Sequence, residues 1–164
     1  MFNAAQTRVV VALLRSQPIA ALGTLHKGEP FVSMVPYALV PELNAFAIHV
    51  SSLASHTEDM IEHAAVSLMV TAHARSEDLP QALARATFQC QAQRCTQDEP
   101  YYEAAKRSYL LRFPPSEKMF SFGDFSLFTL TPRYMRFIGG FAQATTVTAP
   151  ELEAILAQVS ESAA

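Results

Sequence analysis

Residues 49–60 read HVSSLASHTEDM and bring Ser51, Ser52, Ser55 and Thr57 together with His49 and His56. Before them, NAFAIHV has the apolar, β-branched look of a strand; after them, TEDMIEH suits a short helix. Two chemistries fit hydroxyls and an imidazole at such a junction. The first is a helix cap: Ser55-His56-Thr57-Glu58 matches the S-x-x-E capping box, with Ser55 as N-cap and Glu58 reaching back. The second is an anion site, because free backbone N–H groups and the helix dipole favour negative charge at a helix N-terminus. A cap uses one hydroxyl, which leaves Ser51, Ser52, His56 and Thr57 as donors for a phosphate. The two readings are compatible, and both stay open.

Other chemistries lack their residues. Gly23, Gly28, Gly123, Gly139 and Gly140 form neither a GxGxxG nor a Walker-type loop, and there is no GxSxG elbow. The histidines His26, His49, His56, His63 and His73 have no metal-ligand spacing. His56 and His63, on one helix, would lie about 10.5 Å apart along its axis, too far to share one ion at about 2 Å. No metal site is expected. On a strand, Cys90 and Cys95 would face opposite ways, roughly 16 Å apart. A disulfide needs Cα atoms within about 7 Å, so two reduced thiols are expected.

The elements that must position the junction are mostly strands. PIAALGTL and PFVSMVPYALV flank the turn HKGE as a hairpin, and AFAIHV, AAVSLMVTA, RATFQCQAQRCT and FSLFTLTPRYMRFIGG follow, the last interrupted near Thr131-Pro132. Helices are expected over 3–16, opened by Asn3, over EPYYEAAKRSYLLR, capped by Asp98 with Pro100 in its first turn, and over 149–160, where Thr148 and Glu151 form a capping box. Tyr102, Ala105, Tyr109 and Leu110 mark the apolar side of the middle helix; Leu152, Ile155, Leu156 and Val159 mark that of the last. FPPSEKMFSFGD reads as a loop. About six mainly antiparallel, hairpin-connected strands with attached helices predict an α+β fold, a β-barrel with helices, in one domain over 1–164.

Composition narrows the partners. Half of the 164 residues are hydrophobic and 16% are charged, as expected for a compact globular chain. Twelve basic residues against 15 acidic ones, a net charge of -3, give no footprint for nucleic acid and no basic patch for an anionic membrane. The apolar run in RVVVALLRSQ is too short to span a membrane, so a cytoplasmic address is expected. Low charge also suits a chain that buries surface against its own copy.

Taken in order, AALGTLHKGEPFVSMVPYAL, SSLASHTEDMIEHAAVSLMV and RATFQCQAQ resemble the pyridoxamine 5′-phosphate oxidase-related, FMN-binding split-barrel proteins. The S-x-L-A-x-H-T stretch and DFSLFTLTPRYMRFIGGFAQA resemble their haem-utilisation branch, and the likeness runs from Ile19 to Ala144. The resemblance implies a homodimer with FMN at the subunit interface. Ser52, Ser55, His56 and Thr57 would hold the FMN phosphate, with His56 where the oxidases have lysine. Ser33, Met34, Val35 and Pro36 would run along the flavin. Arg85 either adds charge near the cofactor or is a solvated strand end, and Phe141 either meets a cofactor edge or is ordinary core.

This chain departs from the family pattern in four places. SSLASHTEDM contains no Arg or Lys, Asp59 stands where relatives commonly have asparagine, Ala142 replaces the last glycine of GGFG, and one helix follows Ala144. The resulting expectation is an FMN-binding oxidoreductase acting on a small molecule. Haem binding or breakdown on the same barrel is the alternative, and a cofactor-free dimeric structural or regulatory protein is the third reading.

Overall fold

The computed structural model describes residues 2–140 and 143–161; Phe141 and Ala142 lie outside the described residues. Its strands are β1 Ile19–His26, β2 Glu29–Pro36, β3 Ala38–Val40, β4 Ala45–Ser51, β5 Ala65–Thr71, β6 Arg85–Cys95, β7 Phe125–Ile138 and β8 Ala144–Thr148. The helices are α1 Ala4–Ser16, α2 Ser55–Glu62, α3 Tyr102–Arg112 and α4 Ala149–Glu161. All pairings are antiparallel, in the order β2-β1-β5-β6-β7-β4-β3, with β8 on β7. The result is an open split-barrel α+β fold. Eight strands, against the six or so expected, come from two short additions. PFVSMVPYALV breaks at Tyr37, whose backbone N–H donates to Pro18 O at 3.3 Å, outside the strand ladders, so β2 and β3 are separate. ATTVT forms β8, which has no counterpart among the expected strands.

β7 explains how Pro132 fits inside a strand. Its first half pairs with β4 from Phe125 to Leu130, and its second half pairs with β8 from Tyr134 to Ile138. Residues 131–133 lie between those partners, where a residue without an N–H loses no ladder bond on that side. On the other side, the register with β6 shifts between Gln89 and Cys90, which pair with Tyr134 and Pro132. Arg133 is the extra residue of a bulge. The expected interruption is therefore a bulge within one continuous strand.

Two cores result. Inside the barrel lie Leu22, Val35, Phe46, Ile48, Phe88, Cys90, Phe128 and Phe137, closed by α1 and α4 through Val10, Leu14, Leu152, Ile155, Leu156 and Val159. The second core lies under α3, where Tyr102, Ala105 and Tyr109 cover Ala47, Leu127 and Cys95. Cys90 and Cys95 thus belong to opposite faces of β6, both as free thiols. Every residue of β4 before Ser51 is buried, because one face meets the barrel and the other meets α3.

Caps follow the sequence in part. Asn3 accepts from Gln6 N at 2.9 Å and Gln6 Oε1 accepts from Asn3 N at 3.0 Å, a complete capping box for α1. Asp98 does not cap α3: turns bonded Glu99 N to Thr96 O and Tyr102 N to Glu99 O delay the helix to Tyr102. FPPSEKMFSFGD is not a plain loop, since Pro114–Ser121 winds into a 3-10 helix that carries Phe120 onto the second core.

Candidate functional site

The junction between β4 and α2 is built differently from the expected capping box. The N-cap position is Ala54, which has no side-chain acceptor, and Ser55 is already helical. The turn is closed by Ser51 instead. Its hydroxyl accepts from Leu53 N at 3.2 Å, and its carbonyl accepts from Ala54 N at 3.1 Å and from Thr57 Oγ1 at 2.6 Å. This tight turn consumes the residues before the helix, so Ser55 begins it. With no cap side chain, the N–H groups of Ser55 and His56 have no acceptor among the described residues, and they carry the positive end of the helix dipole.

Around those N–H groups, Ser52 and Ser55 are exposed and their hydroxyls are unbonded. Thr57 is 3% exposed and its proton goes to Ser51 O, so it braces the turn and is not free to donate to a ligand. His56 is half-buried; burial pushes its pKa below the ordinary histidine value, and the Asp59 carboxylate opposes that push. Negative charge also approaches from Asp124, whose carbonyl accepts from Ser52 N at 2.6 Å and whose carboxylate accepts from Ser51 Oγ at 3.2 Å. The turn can hold an anion through neutral donors and a helix end, with carboxylates nearby and no lysine or arginine within it.

The other expected site residues divide by face. Ser33 and Val35 point inward along β2, Met34 outward. Val35 is in the barrel core, so only its backbone can meet a ligand. Ser33 Oγ is buried without a partner, an unsatisfied hydroxyl of the kind a ligand can satisfy. β2 ends the sheet order and pairs with β1 alone, so half its backbone polar groups have no ladder partner. Pro36 closes the strand and is half-buried.

Arg85 does not join the turn. It opens β6, and its Nη1 donates to Leu83 O at 3.1 Å. The turn lies by the far end of β6, where Cys95 pairs with Leu127, two residues from Phe125 and its partner Ser51. Ten residues of strand separate the two ends by about 33 Å. Within one chain, Arg85 cannot supply the missing cation.

Sequence reasoning missed a second polar cluster. Asp59 is 3% exposed inside α2; Oδ2 accepts from Thr24 Oγ1 at 2.7 Å, and Oδ1 lies 2.8 Å from His26 Nδ1. The unusual aspartate was visible in the sequence, but its partners sit 33 and 35 positions away and only the β1–α2 packing brings them together.

The pyridoxamine 5′-phosphate oxidase family model matches residues 7–139. Among curated proteins, none matches. Similar solved structures include a heme binding protein from Mycobacterium smegmatis, 24% identical with a TM-score of 0.81. The alignment covers 94% of this chain but 62% of that one, so this chain spans less than two thirds of its length. The heme storage protein HutZ from Vibrio cholerae is 21% identical with a TM-score of 0.69, over 76% of this chain and 88% of that one. An FAD-binding protein from Mesorhizobium loti is 12% identical with a TM-score of 0.61, over 81% and 91%. These likenesses establish the fold, and the family match over most of its length makes this chain a member of the pyridoxamine 5′-phosphate oxidase family.

Proposed function

We propose that the protein is an FMN-binding flavoprotein, an oxidoreductase acting on a small molecule, working as a homodimer with its cofactor site at the subunit interface. The observation that carries this reading is the uncapped start of α2, where the Ser55 and His56 N–H groups stand free beside the exposed Ser52 and Ser55 hydroxyls. A phosphate monoester satisfies those donors and is favoured by the helix dipole. The unpartnered Ser33 hydroxyl and the open edge of β2 add polar groups for the rest of the cofactor. FMN would supply the redox chemistry; the chain's part is to bind and orient it. His56 is the one side chain of the turn that can become cationic, and a phosphate would favour its protonated form against burial.

The test is direct. Denature the purified protein and look for released FMN, then titrate the apo-protein with FMN and repeat with Ser55→Ala and His56→Ala. Binding in the micromolar range or tighter, weakened in both variants and unchanged in His63→Ala, is expected. Absence of both retained flavin and micromolar binding overturns the reading and favours a cofactor-free protein on this fold.

A second reading is haem binding. Two proteins of similar fold are a heme binding protein and a heme storage protein, and the phosphate turn here has no fixed cation. A Soret shift on adding hemin, with no FMN binding, would favour it.

A further inference from the structure

Next to the α2 turn, on the side of Gly123 and Phe125, a cavity of about 350 Å³ lies between the second core and the Pro114–Ser121 segment. We propose that this cavity binds a small aromatic monocarboxylate, with His49 as the hydrogen-bond group at its floor and Arg94 at its rim. His49 forms one row with Leu127 and Cys95 across β4, β7 and β6. The residue is 8% exposed, and neither ring nitrogen has a hydrogen-bond partner among the described residues. Nδ1 is fully buried, which leaves Nε2 as the nitrogen a ligand can reach. Buried polar groups without partners are rare in folded proteins, and one lining a cavity is a candidate binding group.

The ring is held for that role. Phe120 stacks on it at a centroid distance of 3.8 Å and an interplanar angle of 3°, while Phe125 and Tyr109 contact it at 5.1 and 5.9 Å. Burial keeps the imidazole neutral, with a pKa pushed down to about 4. A proton on Nε2 therefore makes it a donor toward the cavity.

The rest of the lining selects the ligand. Gln97 adds a donor, while the Ser121 and Thr96 hydroxyls donate to Lys118 O and to the Asp98 carboxylate; no Asp or Glu lines the cavity, and Arg94 makes no ion pair among the described residues. Phe120, Phe122 and Tyr102 add aromatic surface. Donors, one free cation and aromatic walls suit a flat ring with a carboxylate. The volume is at the lower end of small-molecule sites and holds one or two rings. This inference does not rest on the flavin reading and concerns different residues.

The experiment is a titration of the full-length protein with benzoate, with benzyl alcohol as the neutral counterpart, followed through the histidine ring resonances by NMR. Benzoate is expected to shift the His49 signals and to leave those of His56 in place. His49→Phe preserves the stack on Phe120 and removes the nitrogens; Arg94→Gln removes the cation from an exposed position. Each should weaken benzoate by about tenfold or more, as befits a charge-assisted bond. Should His49→Phe fail to fold, Arg94→Gln carries the test. No His49 shift at millimolar benzoate, unchanged affinity in Arg94→Gln, or equal binding of benzyl alcohol overturns the proposal.

Discussion

Asp59 shows how one carboxylate can organise a helix–sheet contact. It is buried, and its two oxygens engage Thr24 and His26 on β1. Asp59→Ala strands the Thr24 hydroxyl and the His26 ring, and should cost about 2 kcal/mol in a denaturant melt. Asp59→Asn keeps an acceptor for Thr24 and an amide for His26, and should cost less than about 1 kcal/mol. Equal losses in the two variants would mean that packing, not hydrogen bonding, holds α2 on β1. His49 makes a different prediction, about pH. Its folded-state pKa is pushed down to about 4 from 6.5 by burial, so the folded protein holds the ring neutral where the unfolded chain protonates it. The stability contributed by the neutral ring is fully present above pH 6.5 and declines as pH falls towards 4. The loss is on the order of 1–3 kcal/mol. Tyr109 of α3 and Cys95 of β6, the titratable neighbours, have pKa values pushed up to about 12 and about 11, so both stay neutral across this window. Urea melts at pH 7 and pH 4.5 should therefore differ less for His49→Phe than for the unaltered protein.

The helices α1 and α2 begin in opposite ways, and that difference sets what their first residues can do. α1 has a complete capping box, so Asn3→Ala should lower stability by about 1 kcal/mol. Ser55 caps nothing, so Ser55→Ala should change stability by less than about 0.5 kcal/mol while weakening FMN. A large stability loss in Ser55→Ala would return that residue to a structural role. At the same turn, Asp124→Asn removes a carboxylate beside Ser51 and should tighten anion binding by about twofold to fivefold, more at low salt. How far such features are legible in the sequence depends on their range. The strands, α1 and the apolar stripe of α4 follow from local periodicity, and Asn3 with Gln6 from a local motif. The α2 start has the same local motif, yet a turn closed on Ser51, itself held by the distant Asp124, accompanies a helix start shifted by one residue and without the cap. β8 is too short to announce itself, and it exists because the second half of β7 needs a partner. The strand–helix junction itself was legible from the local pattern around residues 49–60, whereas the distance of Arg85 from that turn, at the opposite end of β6, follows only from the strand pairing.

At the scale of the whole molecule, the sheet has an unbalanced surface. The outward face of β1, β2 and β5 exposes Val32 at 69%, Met34 at 60%, Ile19 at 47% and Met69 at 36%. The pairings place Met34, Ala21 and Met69 in one row and Val32, Gly23 and Ser67 in the next, so the patch is contiguous. Its outer boundary is β2, an edge strand, and apolar edge surface of this sort favours pairing with another chain. A second copy with the same patch meets it without charge repulsion, because no charged residue stands in either row. The proposed homodimer thus has a surface to form on, and β2 belongs to both the patch and the proposed flavin site. In the proposed dimer, that overlap would link assembly to cofactor binding. Val32→Glu leaves the barrel core untouched and puts a charge in the middle of the patch. Light scattering should give twice the chain mass of 18.0 kDa for the unaltered protein and the single chain mass for Val32→Glu. If the cofactor site is completed at the interface, the monomeric variant should also lose FMN by at least about tenfold, although every residue of its α2 turn is intact. A monomeric variant that binds FMN as well as the parent would separate the two properties and move the cofactor site off the interface; a parent that is itself monomeric would remove the dimer.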